Sequence, residues 1–153
     1  MNIQTQINAY IASQPEPKRI DLQELHRVIL SMKPDAKLWF LDGKDSNGKV
    51  VSNPNIGYGQ YTITYAGKKP RDFYQIGVST NTTGISVYVL GLDDKKFLSE
   101  TFGEQIGKAS VTGYCIKFKA LKDIKMEVLK AAMQAGFDAH PQEQEQEQEK
   151  KKR

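Results

Sequence analysis

Apolar side chains recur along the start of the chain with the period of a helix. Ile3, Ile7, Tyr10 and Ile11 fall at i, i+4, i+7 and i+8 and share one face, which predicts a short amphipathic helix over 2–13. Pro15 and Pro17 interrupt the pattern, because a proline inside a helix lacks the backbone donor and clashes with the preceding turn. A second helix is predicted beyond them, where Leu22, Leu25, Ile29 and Met32 recur at helical spacing. Asp21 and Glu24 form a variant capping box if that helix starts late, and Pro34 ends it. The bulky run Leu38-Trp39-Phe40-Leu41 reads equally as a strand or as a buried connection.

From Gln60 the period changes to two. Tyr61, Ile63 and Tyr65 alternate with polar residues, then Tyr74, Ile76 and Val78, then Ile85, Val87 and Val89, which predicts strands over 60–65, 72–79 and 84–90. Connections at 67–70 and 81–84 make them a meander with one apolar face. Asp93 or Asp94 caps a helix that runs to about Phe102, with Leu98, Phe102 and Ile106 inward and Gly103 in the left-handed position that ends helices. Tyr114, Ile116 and Phe118 alternate with Cys115, Lys117 and Lys119 in a fourth strand. Asp123 then caps a last helix whose inner stripe is Ile124, Val128 and Ala131 or Ala132, with Gly136 as its stop. The expected class is α+β, a small mixed or antiparallel sheet of four to five strands packed by helices, in the order α-α-β-β-β-α-β-α. The stretch 42–59, rich in Gly, Asn, Ser, Asp and Pro, is the longest ordered loop expected.

A chain of 153 residues, 39% hydrophobic and 26% charged, suits one globular domain, placed at 1–137. Residues 138–153, a Gln-Glu repeat followed by Lys150 to Arg153, have no large apolar side chain to offset the entropy of ordering and are expected to be a disordered charged tail. No window approaches the roughly 18 to 20 apolar residues of a membrane span. The first ten residues carry neither Lys nor Arg nor an apolar run, so a secretory signal is not expected and the cytoplasm is the expected compartment. The formal charge is +4, and because the tail holds four basic and five acidic residues, the basic excess lies in the body. Its lysines are scattered singly or in pairs, the pattern of a solvated surface, and nucleic acid is not an expected partner.

The segments Gly57-Tyr58-Gly59, Tyr65-Ala66, Gly77, Ser86-Val87-Tyr88-Val89, Thr112-Gly113-Tyr114-Cys115-Ile116-Lys117-Phe118 and Leu121-Lys122-Asp123-Ile124 carry a resemblance. With them the chain resembles the YdhG-like domain family of unknown function, from its first helix to about Gly136. The resemblance implies a compact domain with helices before, within and after a small mixed sheet. For function it implies iron, since a frataxin-like member is described as an intracellular iron chaperone, and it supplies no catalytic motif to carry over.

A hard cation needs converging carboxylates, and Asp93 with Asp94 are the candidate metal ligands, although capping a helix accounts for them as well. Asp42 and Asp45 suit a turn, and a shared site for His26 and His140 would require the tail to dock. The lone Cys115 lies in a strand with no G-x-S-x-G elbow and reads as packing. Gly57-Tyr58-Gly59 after Asn53-Pro54-Asn55 lets backbone amides approach an anion, with Lys44 and Lys108 as charges, but the Walker Lys-Ser/Thr pair is missing and a tight turn is the alternative. Lys44, Asn53, Asn55, Tyr58 and Lys108 are therefore the candidate ligand site. The tyrosines at 61, 65, 74 and 88 read as core rather than as a base-stacking platform. The expected function is a non-enzymatic binding protein for a small ligand, a metal ion or a protein, iron chaperone-like by the resemblance. The alternative is a small enzyme or an anion- or phosphate-binding module centred on 44–59.

Overall fold

A computed structural model describes residues 2–65, 68–82, 84–90, 92 and 96–138, and for 63–65 and 68–71 the backbone alone. The tail expected to be disordered and the cap expected at Asp93 or Asp94 lie outside these residues, apart from Asp138.

Helix α1 (Ile3–Ser13) starts where Asn2 accepts a hydrogen bond from the Thr5 N–H at 2.8 Å, a side-chain cap on an otherwise unsatisfied donor. Its buried residues are Ile7, Tyr10 and Ile11, as the periodicity predicts. Helix α2 (Lys18–Met32) begins directly after Pro17, with no side-chain cap, so Asp21 lies within the first turn and does not cap it. The Asp21 carboxylate instead accepts from the Leu121 N–H at 3.1 Å.

The run at 38–41 is strand β1 (Leu38–Leu41), and the expected long loop ends early in a second strand, β2 (Asn55–Tyr58). Strands β3 (Tyr61–Tyr65) and β4 (Lys68–Phe73) form a ribbon of their own. The strand predicted at 72–79 is thus divided at Tyr74 and Gln75, and β5 (Ile76–Asn81) starts anew. Strand β6 (Gly84–Val89) follows, then α3 (Phe97–Phe102), β7 (Ser110–Thr112), β8 (Cys115–Phe118), a 3-10 turn at Leu121–Asp123, and α4 (Met126–Asp138). The protein is α+β, and its described residues form four α-helices, a six-stranded antiparallel sheet in the order β1-β2-β5-β6-β8-β7, and the two-stranded β3-β4 ribbon.

Three local expectations are corrected. Gly103 has φ of −55°, so α3 stops in right-handed backbone whose N–H reaches back to the Ser99 carbonyl. Asp123 closes the 3-10 turn rather than capping α4. Gly136 lies within α4, where a Cβ would sit 2.6 Å from Val89 Cγ1, so the missing side chain lets the helix approach the sheet.

Alternation within the strands puts Ile56, Tyr58, Ile76, Val78, Ile85, Val87, Val89 and Ile116 on one face. They are buried with Ile7, Leu22, Leu25, Ile29, Leu129 and Met133 of the helices in one cluster. Each such aliphatic side chain contributes about 1.5–3 kcal/mol of burial, which makes this face the principal source of stability. In α4 Ala132 is inside and Ala131 is exposed, which settles that alternative.

On the other face Gly57 of β2 pairs with Gly77 of β5, and the Tyr74 ring lies over both. A Cβ at Gly57 would stand 2.5 Å from Tyr74 Cδ2 and 2.7 Å from its Cβ, close to the rigid base of that side chain. Gly57→Ala is therefore expected to destabilise the protein by about 1–3 kcal/mol, the usual effect of overpacking, seen as a lower urea midpoint with an unchanged slope.

Candidate functional site

The sheet order separates the residues that the sequence groups. Lys44 is exposed in the loop after β1, at one edge of the sheet, where an isolated bridge to Val50 and the Asp42 and Asp45 side chains hold the backbone in tight turns. Asn53 and Asn55 stay together, the Asn55 amide donating to the Asn53 carbonyl at 3.1 Å. Tyr58 leaves the loop altogether, with its side chain fully buried on the helix-covered face. Lys108 precedes β7 at the opposite edge of the sheet from β1. Asp93 and Asp94 lie outside the described residues.

Lys108 nevertheless borders a cleft, built by contacts between distant segments. The Lys18 ammonium donates to the Asn81 carbonyl at 2.5 Å and ties the start of α2 to the end of β5. Asp21 ties α2 to the 3-10 turn through Leu121. The Lys108 N–H donates to the Asp123 carbonyl at 2.9 Å and the Lys125 N–H to the Ile106 carbonyl at 2.7 Å, which fixes the segment ahead of β7 against the same turn. Between these ties lies a cleft of about 620 Å³ whose charged lining includes Lys18, Asp21, Lys108, Lys119, Lys122 and Asp123. A neighbouring cavity of about 360 Å³ shares Lys108 and Lys119 and adds Lys117. A third, of about 380 Å³, shares Lys18 with the cleft and reaches Asn53.

The cleft is lined by Lys18, Lys108, Lys119 and Lys122 against Glu16, Asp21 and Asp123, a small excess of positive charge; Glu16 is paired with Arg19, and among the described residues Lys108, Lys119 and Lys122 are exposed and have no ion-pair partner. The first turn of α2 has no side-chain cap, and although its Arg19 N–H donates to the Pro15 carbonyl, it adds the partial positive charge of a helix N-terminus. Of these lysines sequence reasoning names Lys108 alone. Lys18 lies far along the chain from Lys119 and Lys122, and the one local signal is that Lys117 and Lys119 flank the buried Phe118.

Tyr58 takes part in a different arrangement. Its hydroxyl is hydrogen-bonded to His26 Nδ1 at 2.7 Å, linking β2 to α2, and burial pushes the phenol well above its usual range. Burial also lowers the His26 pKa, and neither residue lines any of the three cavities. Burial raises the Cys115 thiol pKa, which keeps it protonated. Among the described residues no three His, Cys, Asp or Glu side chains converge as a metal site would require, and no helix is long and apolar enough to cross a membrane.

The His26 shift has a definite sign. A histidine held neutral by burial accepts a proton more readily when unfolded, so it costs no stability above its unfolded pKa of about 6.5 and increasingly destabilises the fold as the pH falls below that value. The urea midpoint is expected to drop between pH about 7.5 and pH about 5.5, and His26→Asn is expected to flatten that slope.

No protein-family model, no curated protein and no solved structure matches this chain, so the reading of function rests on the geometry of the cleft.

Proposed function

We propose that the chain is a cytoplasmic, YdhG-like, non-enzymatic binding domain that takes up a small molecule bearing a phosphate or carboxylate group in the lysine-lined cleft. The observation that carries this reading is the meeting of Lys108, Lys119 and Lys122, three exposed ammonium groups without ion-pair partners among the described residues, around a cleft of about 620 Å³ beside the uncapped start of α2. Such a cleft holds a compact anion by charge-assisted hydrogen bonds. This moves the anion site suggested at 44–59 to the far edge of the sheet and keeps Lys108 as its shared member.

Iron delivery is the second reading, and its support is the family resemblance together with Asp93 and Asp94 in the sequence. Ferrous iron titrated anaerobically into the full chain separates the two. Stoichiometric uptake weakened by Asp93→Ala with Asp94→Ala favours iron, and no uptake removes it.

For the anion reading, inorganic phosphate and pyrophosphate are expected to raise the melting temperature by mass action. Lys108→Ala and Lys119→Ala are each expected to weaken binding about fivefold, the effect of losing about 1 kcal/mol of a partly solvated charge contact. Binding is also expected to weaken as salt rises. An unchanged melting temperature across a phosphate series would sink the reading.

A further inference from the structure

The cleft and the third cavity meet along Lys18 and Thr82, which line both. Their chemistry differs. The cleft presents Lys108, Lys119 and Lys122, charged groups that only donate hydrogen bonds. The third cavity, of about 380 Å³, has no charged side chain besides Lys18, and its polar lining includes Tyr10, Ser13, Gln14, Asn53 and Thr80. The strand register sets the scale of the pair. Asn81 pairs with Gly84, and a Cβ at Gly84 would stand 2.8 Å from Lys119 Cα, so the three backbones lie side by side over two strand spacings, about 10 Å. With the Lys18 ammonium held on the Asn81 carbonyl, one small molecule reaches from this junction to the lysines.

Hydrogen bonds within the third cavity fix what each group can still do. Thr80 donates its hydroxyl proton to Gln14 Oε1 at 2.8 Å, so in the 2.8 Å contact between the Tyr10 and Thr80 hydroxyls Tyr10 is the donor. The Tyr10 oxygen in turn accepts from the Thr80 N–H at 3.0 Å. Gln14 Nε2 donates to Ser13 Oγ and to the Tyr10 carbonyl, and the Ser13 hydroxyl donates to that same carbonyl at 2.6 Å. The donors of the network are thereby used. One lone pair remains on Ser13 Oγ, which is exposed, and one on Gln14 Oε1, which is half-buried. Spare acceptors disfavour an anion and suit a hydroxyl. At the rim the exposed Asn53 side-chain amide, which makes no hydrogen bond among the described residues, adds a donor and an acceptor. A nucleobase finds no platform here, because the Tyr10 ring is 8% exposed and lies against Phe40.

We propose that the ligand is a phosphorylated sugar, with its phosphate on Lys108, Lys119 and Lys122 and its hydroxyl groups across Lys18 in the third cavity, donating to Ser13 and Gln14. This rests on the reading of the cleft as an anion site and names the class of anion. The division of polarity between the two cavities orients the ligand, since the phosphate is favoured only on the lysine side.

Calorimetric titration of the full chain with glucose 6-phosphate and with methyl phosphate, at one pH and salt concentration, tests the assignment. Both probes present a phosphate monoester, and they differ in the sugar hydroxyls. Glucose 6-phosphate is expected to bind about tenfold more tightly, the effect of one or two added hydrogen bonds. Ser13→Ala combined with Asn53→Ala, at two exposed positions, is expected to cut that ratio to about threefold or less without changing the affinity for methyl phosphate. Lys119→Ala is expected to weaken both ligands alike. Equal binding of the two probes by the unaltered chain, or a ratio that the double variant leaves intact, would overturn the sugar assignment while the anion reading stands. Tighter binding of AMP than of glucose 6-phosphate would overturn it too, in favour of a nucleotide. If neither probe binds, the anion reading fails and this inference fails with it.

Discussion

Burial of one sheet face against helices governs where everything else in this protein sits. The alternation of Ile76, Val78, Ile85, Val87 and Val89 with glycine, serine and tyrosine leaves β5 and β6 with a strongly apolar side, and the antiparallel register between them keeps that side continuous. A slip of one residue would turn the whole set toward water. With the register fixed, α2 must lay Leu22, Leu25 and Ile29 on this face, and its first turn then projects beyond the β5–β6 connection. The connection from β8 to α4 closes the same end. The cleft is the margin left where the helix-covered layer stops.

The parts legible in the sequence are those whose burial repeats over several turns or strand residues. Ile7, Tyr10 and Ile11 mark α1, Leu22, Leu25 and Ile29 mark α2, and Ile85, Val87 and Val89 mark β6, because in each a single period accounts for the buried large apolar side chains. Strand β2 is hidden because Asn55 and Gly57 carry the chemistry of a turn. What makes the segment a strand is its place between β1 and β5, and what makes a glycine suitable is the Tyr74 ring on the far face. Both facts are non-local. The division of the predicted strand at Tyr74 has the same origin: the alternation runs through residues 72–79 without a break, while the backbone leaves the ribbon and enters the sheet there.

Capping residues mislead for a related reason. Asp21 and Asp123 each have the composition of an N-cap, yet Asp21 serves the Leu121 N–H a hundred positions along the chain, and the Asp123 carbonyl receives Lys108. The candidate site was legible only in Lys108. Lys18, Lys119 and Lys122 read as solvated surface because scattered charge is what a surface contains, and only the sheet order gathers them around one cleft. Tyr58 fails as a loop ligand for the opposite reason, since its neighbours suggest exposure and its strand position turns it toward His26.

The junction between ribbon and sheet also determines what light can report about this molecule. Trp39, the single tryptophan, donates its indole N–H to the Gly59 carbonyl, carries the Lys37 ammonium 4.6 Å from its ring centroid, and meets Phe73 and Tyr74 edge-on. Of these partners, Gly59, Phe73 and Tyr74 lie where the chain enters or leaves the β3-β4 excursion. Intrinsic emission from this chain is consequently a local gauge: partial detachment of the ribbon would alter it while the helix-covered layer stayed intact, and a transition followed by fluorescence need not coincide with one followed by backbone circular dichroism.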